Sequence, residues 1–115
     1  MNNRETGSRY ELLAAAYLEQ QGFRILERNY HCRGGEIDLI AKEGDVLCFV
    51  EVKYRSGRGA GLAEEAVTRA KQAKLTRAAR YYLMERRLPA DGLYRFDVVA
   101  VNGDRAVLYR NVTGE

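Results

Sequence analysis

Apolar and polar residues recur along this chain in two rhythms. Between residues 8 and 21, Leu13, Ala14, Tyr17 and Leu18 return at helical spacing and make one apolar stripe, which Gly22 is placed to end. From Phe23 the rhythm shortens. Phe23 to Tyr30 (FRILERNY), Glu36 to Lys42 (EIDLIAK) and Val46 to Tyr54 (VLCFVEVKY) each read as a strand. Gly34-Gly35 breaks the pattern between the first two, and Gly44-Asp45 suits a two-residue type II′ turn between the last two. Arg55 to Gly61 (RSGRGAG) reads as a flexible basic loop, and Leu62 to Leu88 as a long helix ended by Pro89. Leu93 to Val101 and Ala106 to Asn111 are two more strands, joined at Asn102-Gly103-Asp104. The order α-β-β-β-α-β-β predicts an α/β or α+β sandwich.

The hairpin turn fixes a register. With Gly44 and Asp45 at the tip, Glu43 faces Val46, Ile40 faces Phe49, Asp38 faces Glu51 and Glu36 faces Lys53. Facing residues project to the same side, as do residues two apart on one strand, so Asp38, Glu51 and Lys53 are predicted to share a face. The other face carries Ile37, Leu39 and Ala41 against Cys48, Val50 and Val52, a good core. Two carboxylates directly opposite one another repel, and a divalent cation between them reverses that cost. Magnesium favours one or two carboxylates, keeps several waters and coordinates phosphate oxygens. A lysine beside the pair suits a developing negative charge on a phosphate. The same residues also make an ordinary solvated strand face with Lys53 neutralising the two acids. Spacing alone does not separate these readings.

Both helices carry a charge where the stripe is apolar. On the first, Glu11 falls between Leu18 and Ala15 at ~100° per residue, either reaching the hairpin or snorkelling to water from the stripe's rim. On the second, Val67, Leu75, Ala78 and Tyr82 form a stripe with Lys71 in its middle and Lys74 close by. Arg69, Lys71, Lys74, Arg77, Arg80, Arg86 and Arg87 outweigh Glu64, Glu65 and Glu85 on this helix. That surplus fits a nucleic-acid backbone or a solvated amphipathic helix equally well. In the loop, Arg55 and Arg58 are placed as phosphate contacts, without any base-reading signature.

Composition narrows the class. At 115 residues, 46% hydrophobic and 30% charged, the chain is expected to fold as one domain spanning residues 1–115. Such a domain buries roughly two-thirds of its unfolded surface and needs no disulfide staples. The net charge of +3 is compatible with a nucleic-acid partner without demanding one. Cys32 and Cys48 lack CxxC spacing and His31 is the single histidine, so a Cys/His zinc site is nearly excluded. No stretch approaches the ~20 apolar residues of a membrane span. Glu5, Glu11 and Glu19 around Leu12 to Leu18 do not fit a signal peptide. A cytoplasmic protein without a membrane partner is expected.

The segments Gly35 to Ala41 (GEIDLIA) and Phe49 to Arg55 (FVEVKYR) together resemble the signature of the uncharacterised bacterial YraN family. That family is similar to archaeal Holliday junction resolvases within the restriction-endonuclease-like, PD-(D/E)xK nuclease superfamily. The likeness extends over nearly the whole chain. Gly7, Glu11 and Ala14 resemble its first-helix motif, Asn29 its lead-in strand, Val67 with Lys71 its second helix, and Arg95 to Val99 (RFDVV) its late strand. The resemblance implies an α/β, restriction-endonuclease-like core with a mixed central sheet flanked by helices. It implies that Asp38 and Glu51 bind metal, that Val52 offers its backbone carbonyl, and that Glu11 completes the site. Lys53 becomes the catalytic lysine, and Mg2+ or Mn2+ the cofactor. The implied activity is hydrolysis of DNA phosphodiesters, in branched or damaged DNA during repair or recombination. The rival expectation is a nucleic-acid-binding protein on the same fold that cuts poorly or not at all. Resolvase-like relatives work as dimers, so a homodimer is implied, although the sequence shows no dimer surface. Two positions depart from the pattern: Ile37 replaces the motif's proline, and Tyr10 stands where the family usually has glycine, which narrows access to the site.

Overall fold

The computed structural model describes residues 3–55 and 69–112, with side chains for 9–54 and 70–112. Arg58, Val67 and the expected start of the second helix at Leu62 lie outside the described residues. The elements in order are α1 (Asn3–Gln20), β1 (Phe23–Cys32), β2 (Gly35–Glu43), β3 (Val46–Arg55), α2 (Arg69–Glu85), β4 (Tyr94–Asn102) and β5 (Arg105–Tyr109). The strands form one mixed sheet in the order β1-β2-β3-β4-β5. The first three run antiparallel through short turns. β4 lies parallel to β3 and β5 returns antiparallel to β4. A parallel pair cannot be closed by a tight turn, so the chain must cross over between β3 and β4, and α2 lies in that crossover.

The two helices cover opposite faces, which is why the central strands are apolar almost continuously rather than in alternation. Leu47, Phe49 and Val98 pack with Leu75, Ala78, Ala79 and Tyr82 of α2. Cys48, Val50, Val99 and Val101 pack with Ala14, Ala15 and Leu18 of α1. The β2–β3 hairpin has the expected register, Glu43 against Val46 through Leu39 against Val50. Gly44 takes φ 60° while Asp45 stays at negative φ, as a type II′ turn requires.

Two expectations need correction. The second helix ends at Glu85, short of Leu88. Arg87 adopts a left-handed φ of 56°, and the Leu88 and Arg87 amides donate back to the Leu83 and Met84 carbonyls. This Schellman-type cap stops the helix before Pro89 has to. The second correction concerns Ile37, which lies in the α2-side core with Ile40, while Leu39 and Ala41 lie on the α1 side. Strict alternation would have kept Ile37 with Leu39. The parity changes at Asp38. Across from it Asn29 is left-handed at φ 55°, and the β1–β2 ladder passes from Arg28↔Leu39 to Tyr30↔Ile37 without an Asn29↔Asp38 pair. Both strands therefore turn over at the same level.

Candidate functional site

The β2–β3 ladder stops at Leu39↔Val50, just before the carboxylates. Beyond it, Asp38 takes over the role of the missing backbone acceptor: the Val52 N–H donates to Asp38 Oδ2 at 2.8 Å. This bond fixes the carboxylate at the point where the two strands part. Burial pushes the Asp38 pKa from 3.8 up to about 6, with Glu51 adding to the rise and the Val52 N–H opposing it. A buried acid of this kind is held ready for a positive partner.

Glu51, one step along β3, is 8% exposed. Its Oε1 sits 2.5 Å from the Lys71 Nζ and 3.4 Å from the Lys53 Nζ. Two ammonium groups thus share one carboxylate oxygen, and their titrations are linked. Burial and the neighbouring Lys71 push the Lys53 pKa down. For Lys71 burial acts downward too, but contact with Glu51 outweighs it and the pKa is raised. Lys71 reaches this position from α2, whose apolar stripe it interrupts, so the inward lysine is accounted for.

Glu11 comes from α1, half-buried, and feels the Asp38 charge. Burial first and Asp38 second raise its pKa, while the Asn29 side chain pulls it back. Glu11 Oε1 and Glu51 Oε2 are both buried without a hydrogen-bond partner. Ionised carboxylate oxygens only accept, and leaving one dry and unpartnered is expensive, so both oxygens suit a cation. Among the described residues, no three His, Cys, Asp or Glu side chains form a ready-made cage. A hard cation that keeps its own waters needs no such cage.

The carboxylates open onto a cleft of about 690 Å3. Asp38 and Glu51 line it, together with Lys71, Lys74 and the turn from His31 to Glu36. Glycine is required in that turn, because a Cβ on Gly35 would lie 3.2 Å from the Lys74 carbonyl oxygen. Glu11 and Lys53 stand outside this lining. Tyr10 does not line the cleft either: its ring stacks on Tyr54 with centroids 4.0 Å apart. Lys74 faces the cleft, while Arg77 lies further along α2 in an adjoining groove. Arg55 ends β3, and Arg58 lies outside the described residues.

A family model described as uncharacterised protein family UPF0102 matches residues 10–101. The chain belongs to that family. UPF0102 is YraN-like, as the GEIDLIA and FVEVK segments led us to expect. A UPF0102 protein of Lachnoclostridium phytofermentans is 48% identical over 111 residues, 96% of this chain and 94% of the relative. One from Nitrosomonas europaea is 52% identical over 99 residues, 86% and 82% of the two chains. A third, from Caldicellulosiruptor saccharolyticus, is 44% identical over 115 residues, all of this chain and 91% of its own. None of these names states an activity, so the chemistry of this UPF0102 chain must be argued from its site.

Two features were not anticipated from the sequence. Asn29 turns left-handed beside Glu11; asparagine's tolerance of positive φ was the available signal. Asp97, 1% exposed, accepts from Arg95 through both oxygens at 2.8 Å and from the Asn111 N–H at 2.9 Å. Arg95 and Arg110 both bind Glu43 at 2.6 Å, so these groups tie β4, the C-terminal segment and the hairpin together. This network is structural, because all its charges are used internally. Among the described residues no helix is long and apolar enough to cross a membrane.

Proposed function

We propose that this UPF0102 protein is a magnesium- or manganese-dependent endonuclease-like hydrolase of DNA phosphodiester bonds. The observation that carries the reading is the pairing of Asp38, buried with its pKa raised, with Glu51, whose Oε2 is buried and unpartnered, at one splayed end of a hairpin. Asp38 and Glu51 would hold the metal, with the Val52 carbonyl and Glu11 beside them. When bound, such an ion polarises a phosphate and makes water a better nucleophile. The protein's own part is positioning. The Val52 N–H holds Asp38 in place, Lys71 neutralises Glu51 while no cation is bound, and Lys53, 3.4 Å from Glu51, would act on the phosphate from beside the metal-binding carboxylates. A lysine whose pKa is lowered can orient a water molecule or stabilise charge as the phosphate is attacked. Lys74 and Arg77 of α2 would supply contacts to the phosphate backbone, and Arg55 and Arg58 are expected to add to them. The protein is expected to act in the cytoplasm, and branched or damaged DNA in repair or recombination is the substrate class the family resemblance suggests.

A second reading has its own support. The 2.5 Å contact of Lys71 with Glu51 already neutralises one carboxylate internally, as suits a protein that binds nucleic acid without cutting it. Purified protein incubated with magnesium or manganese and linear, flapped or four-way DNA separates the two. Cleavage lost in both Glu51→Gln and Lys53→Ala supports the hydrolase. No cleavage of any substrate under either metal, with DNA binding intact, sinks it and favours the binding protein.

A further inference from the structure

The cleft does not end at the carboxylates. A second groove of about 380 Å3 is lined by Arg33, Gly34, Arg77, Arg80, Tyr81 and Met84. Arg33 and Gly34 also line the first cleft, so the two run together along α2. The β1–β2 turn forms their common wall by approaching the helix closely, since a Cβ on Gly34 would lie 3.3 Å from the Arg77 Cβ. No carboxylate lines the second groove. Its three guanidinium groups offer only donors, in the planar fork that matches phosphate. Tyr81 is 41% exposed and Met84, three residues on, is 66% exposed. One exposed aromatic is unremarkable on a protein surface. An aromatic ring, a thioether and three arginines gathered in one concavity beside a carboxylate site are a different matter.

We propose that this groove binds an unpaired strand of nucleic acid leaving the active-site cleft, with Tyr81 stacking on a base and Arg33, Arg77 and Arg80 holding its phosphates. The inference rests on the nuclease reading and names the substrate feature that the site selects. Duplex DNA keeps its base faces stacked and offers Tyr81 only an edge or a sugar. A single strand offers both a base face and a flexible backbone, which is the combination that grooves of this composition take. The spacing gives a length. Lys71 and Tyr81 are ten residues apart on α2, about 15 Å at 1.5 Å per residue. A stacked strand rises about 3.4 Å per nucleotide, so the groove is reached about four nucleotides from the cleft.

Binding is measured on the full chain with a chelator present, using fluorescent DNA duplexes carrying single-stranded overhangs of increasing length. Affinity should rise until the overhang reaches about four nucleotides and then level off. A 2-aminopurine placed near that position should be quenched on binding. Tyr81→Ala should remove the quenching and at least about fivefold of the overhang affinity, the effect of one stacked base. Tyr81→Phe should keep both. Arg80→Ala, also at an exposed position, should weaken overhang binding independently, and thermal melting verifies that each variant is folded. Equal affinity for blunt and overhanging duplexes, or an unchanged overhang preference in Tyr81→Ala, overturns the proposal. The arms also separate it from the nuclease reading. Overhang preference without cleavage under any metal leaves the strand groove standing and removes the hydrolase, whereas cleavage without overhang preference does the reverse.

Discussion

Replacing Asp38 with asparagine removes a charge that the fold holds unfavourably unless a cation is present. Burial is the main cause, and it lifts the carboxyl pKa from 3.8 to about 6. Between those values the folded protein keeps a proton that the unfolded chain has released. Stability from this group is therefore complete below about pH 4 and is lost as pH rises through 6. At about 1.36 kcal/mol for each pH unit separating the two states, the loss at neutral pH is about 3 kcal/mol. Asparagine is nearly isosteric, carries no charge, and its carbonyl can still accept from the Val52 N–H. Asp38→Asn should thus match wild type at pH 4 and exceed it by about 2–3 kcal/mol at pH 7, or about 10 °C in Tm for a chain of this size. The assay is urea unfolding of both proteins with chelator at pH 4, 5, 6 and 7. Glu43 is shifted the other way, down to about 2, by contacts with Arg110 and Arg95. Its stabilising effect is lost only as pH falls below about 4.5, and it cancels in the difference because both proteins share it. A difference that stays constant from pH 4 to 7, or an asparagine variant less stable at pH 7, would refute the reasoning.

Magnesium should narrow the Asp38→Asn advantage at pH 7, because an ion that binds only folded wild type stabilises it by mass action; titration of Tm against magnesium for both proteins checks this. Lys71→Ala removes the nearer of two cations from a carboxylate that is 8% exposed. Loss of one partner from a fully buried pair costs about 3–5 kcal/mol, and Lys71's partial exposure brings the expectation to about 2 kcal/mol by urea unfolding. Gly35→Ala forces a methyl to within 3.2 Å of the Lys74 carbonyl at φ 154°. It should cost about 1–3 kcal/mol in stability and loosen the cleft wall, read as a lower Tm with weaker DNA binding. Lys53→Ala should lower the cleavage rate about 10²–10³-fold while DNA affinity barely changes, since its proposed role is on developing charge.

The hairpin could be read from sequence because its determinants are local. Gly44 sets the turn, the turn sets the register, and the register runs as expected from Glu43↔Val46 to Leu39↔Val50. The prediction that Asp38, Glu51 and Lys53 share one face extrapolated that register past its end. Asp38 and Glu51 do line one cleft, while Lys53 stands outside its lining, 3.4 Å from Glu51. Asp38 is placed by its own bond to the Val52 N–H rather than by facing Glu51 across an intact ladder. The error over Ile37 has the same origin, since period-two reasoning presumes a continuous pleat and the pleat turns over at Asn29 and Asp38. Other parts were out of reach because they depend on residues far apart in the chain. Nothing in the local pattern says that Lys71 meets Glu51, or that Asp97, besides its neighbour Arg95 two residues away on the same strand, is satisfied by the Asn111 amide. Local consistency is what lets a sequence specify its fold, and the places that break it are expected where function has been bought with strain or buried charge. In this chain the broken pleat at Asp38, the left-handed Asn29 of β1 and the two carboxylates with buried unpartnered oxygens, Glu51 on β3 and Glu11 on α1, gather where the β2–β3 ladder ends. Asp97 is as deeply buried as Glu51, yet it sits on a regular strand with both its oxygens hydrogen-bonded. That contrast separates the proposed site from a brace: buried charge alone marks neither, and on the reading proposed above the unsatisfied buried charge beside a disrupted ladder is what a cation would satisfy.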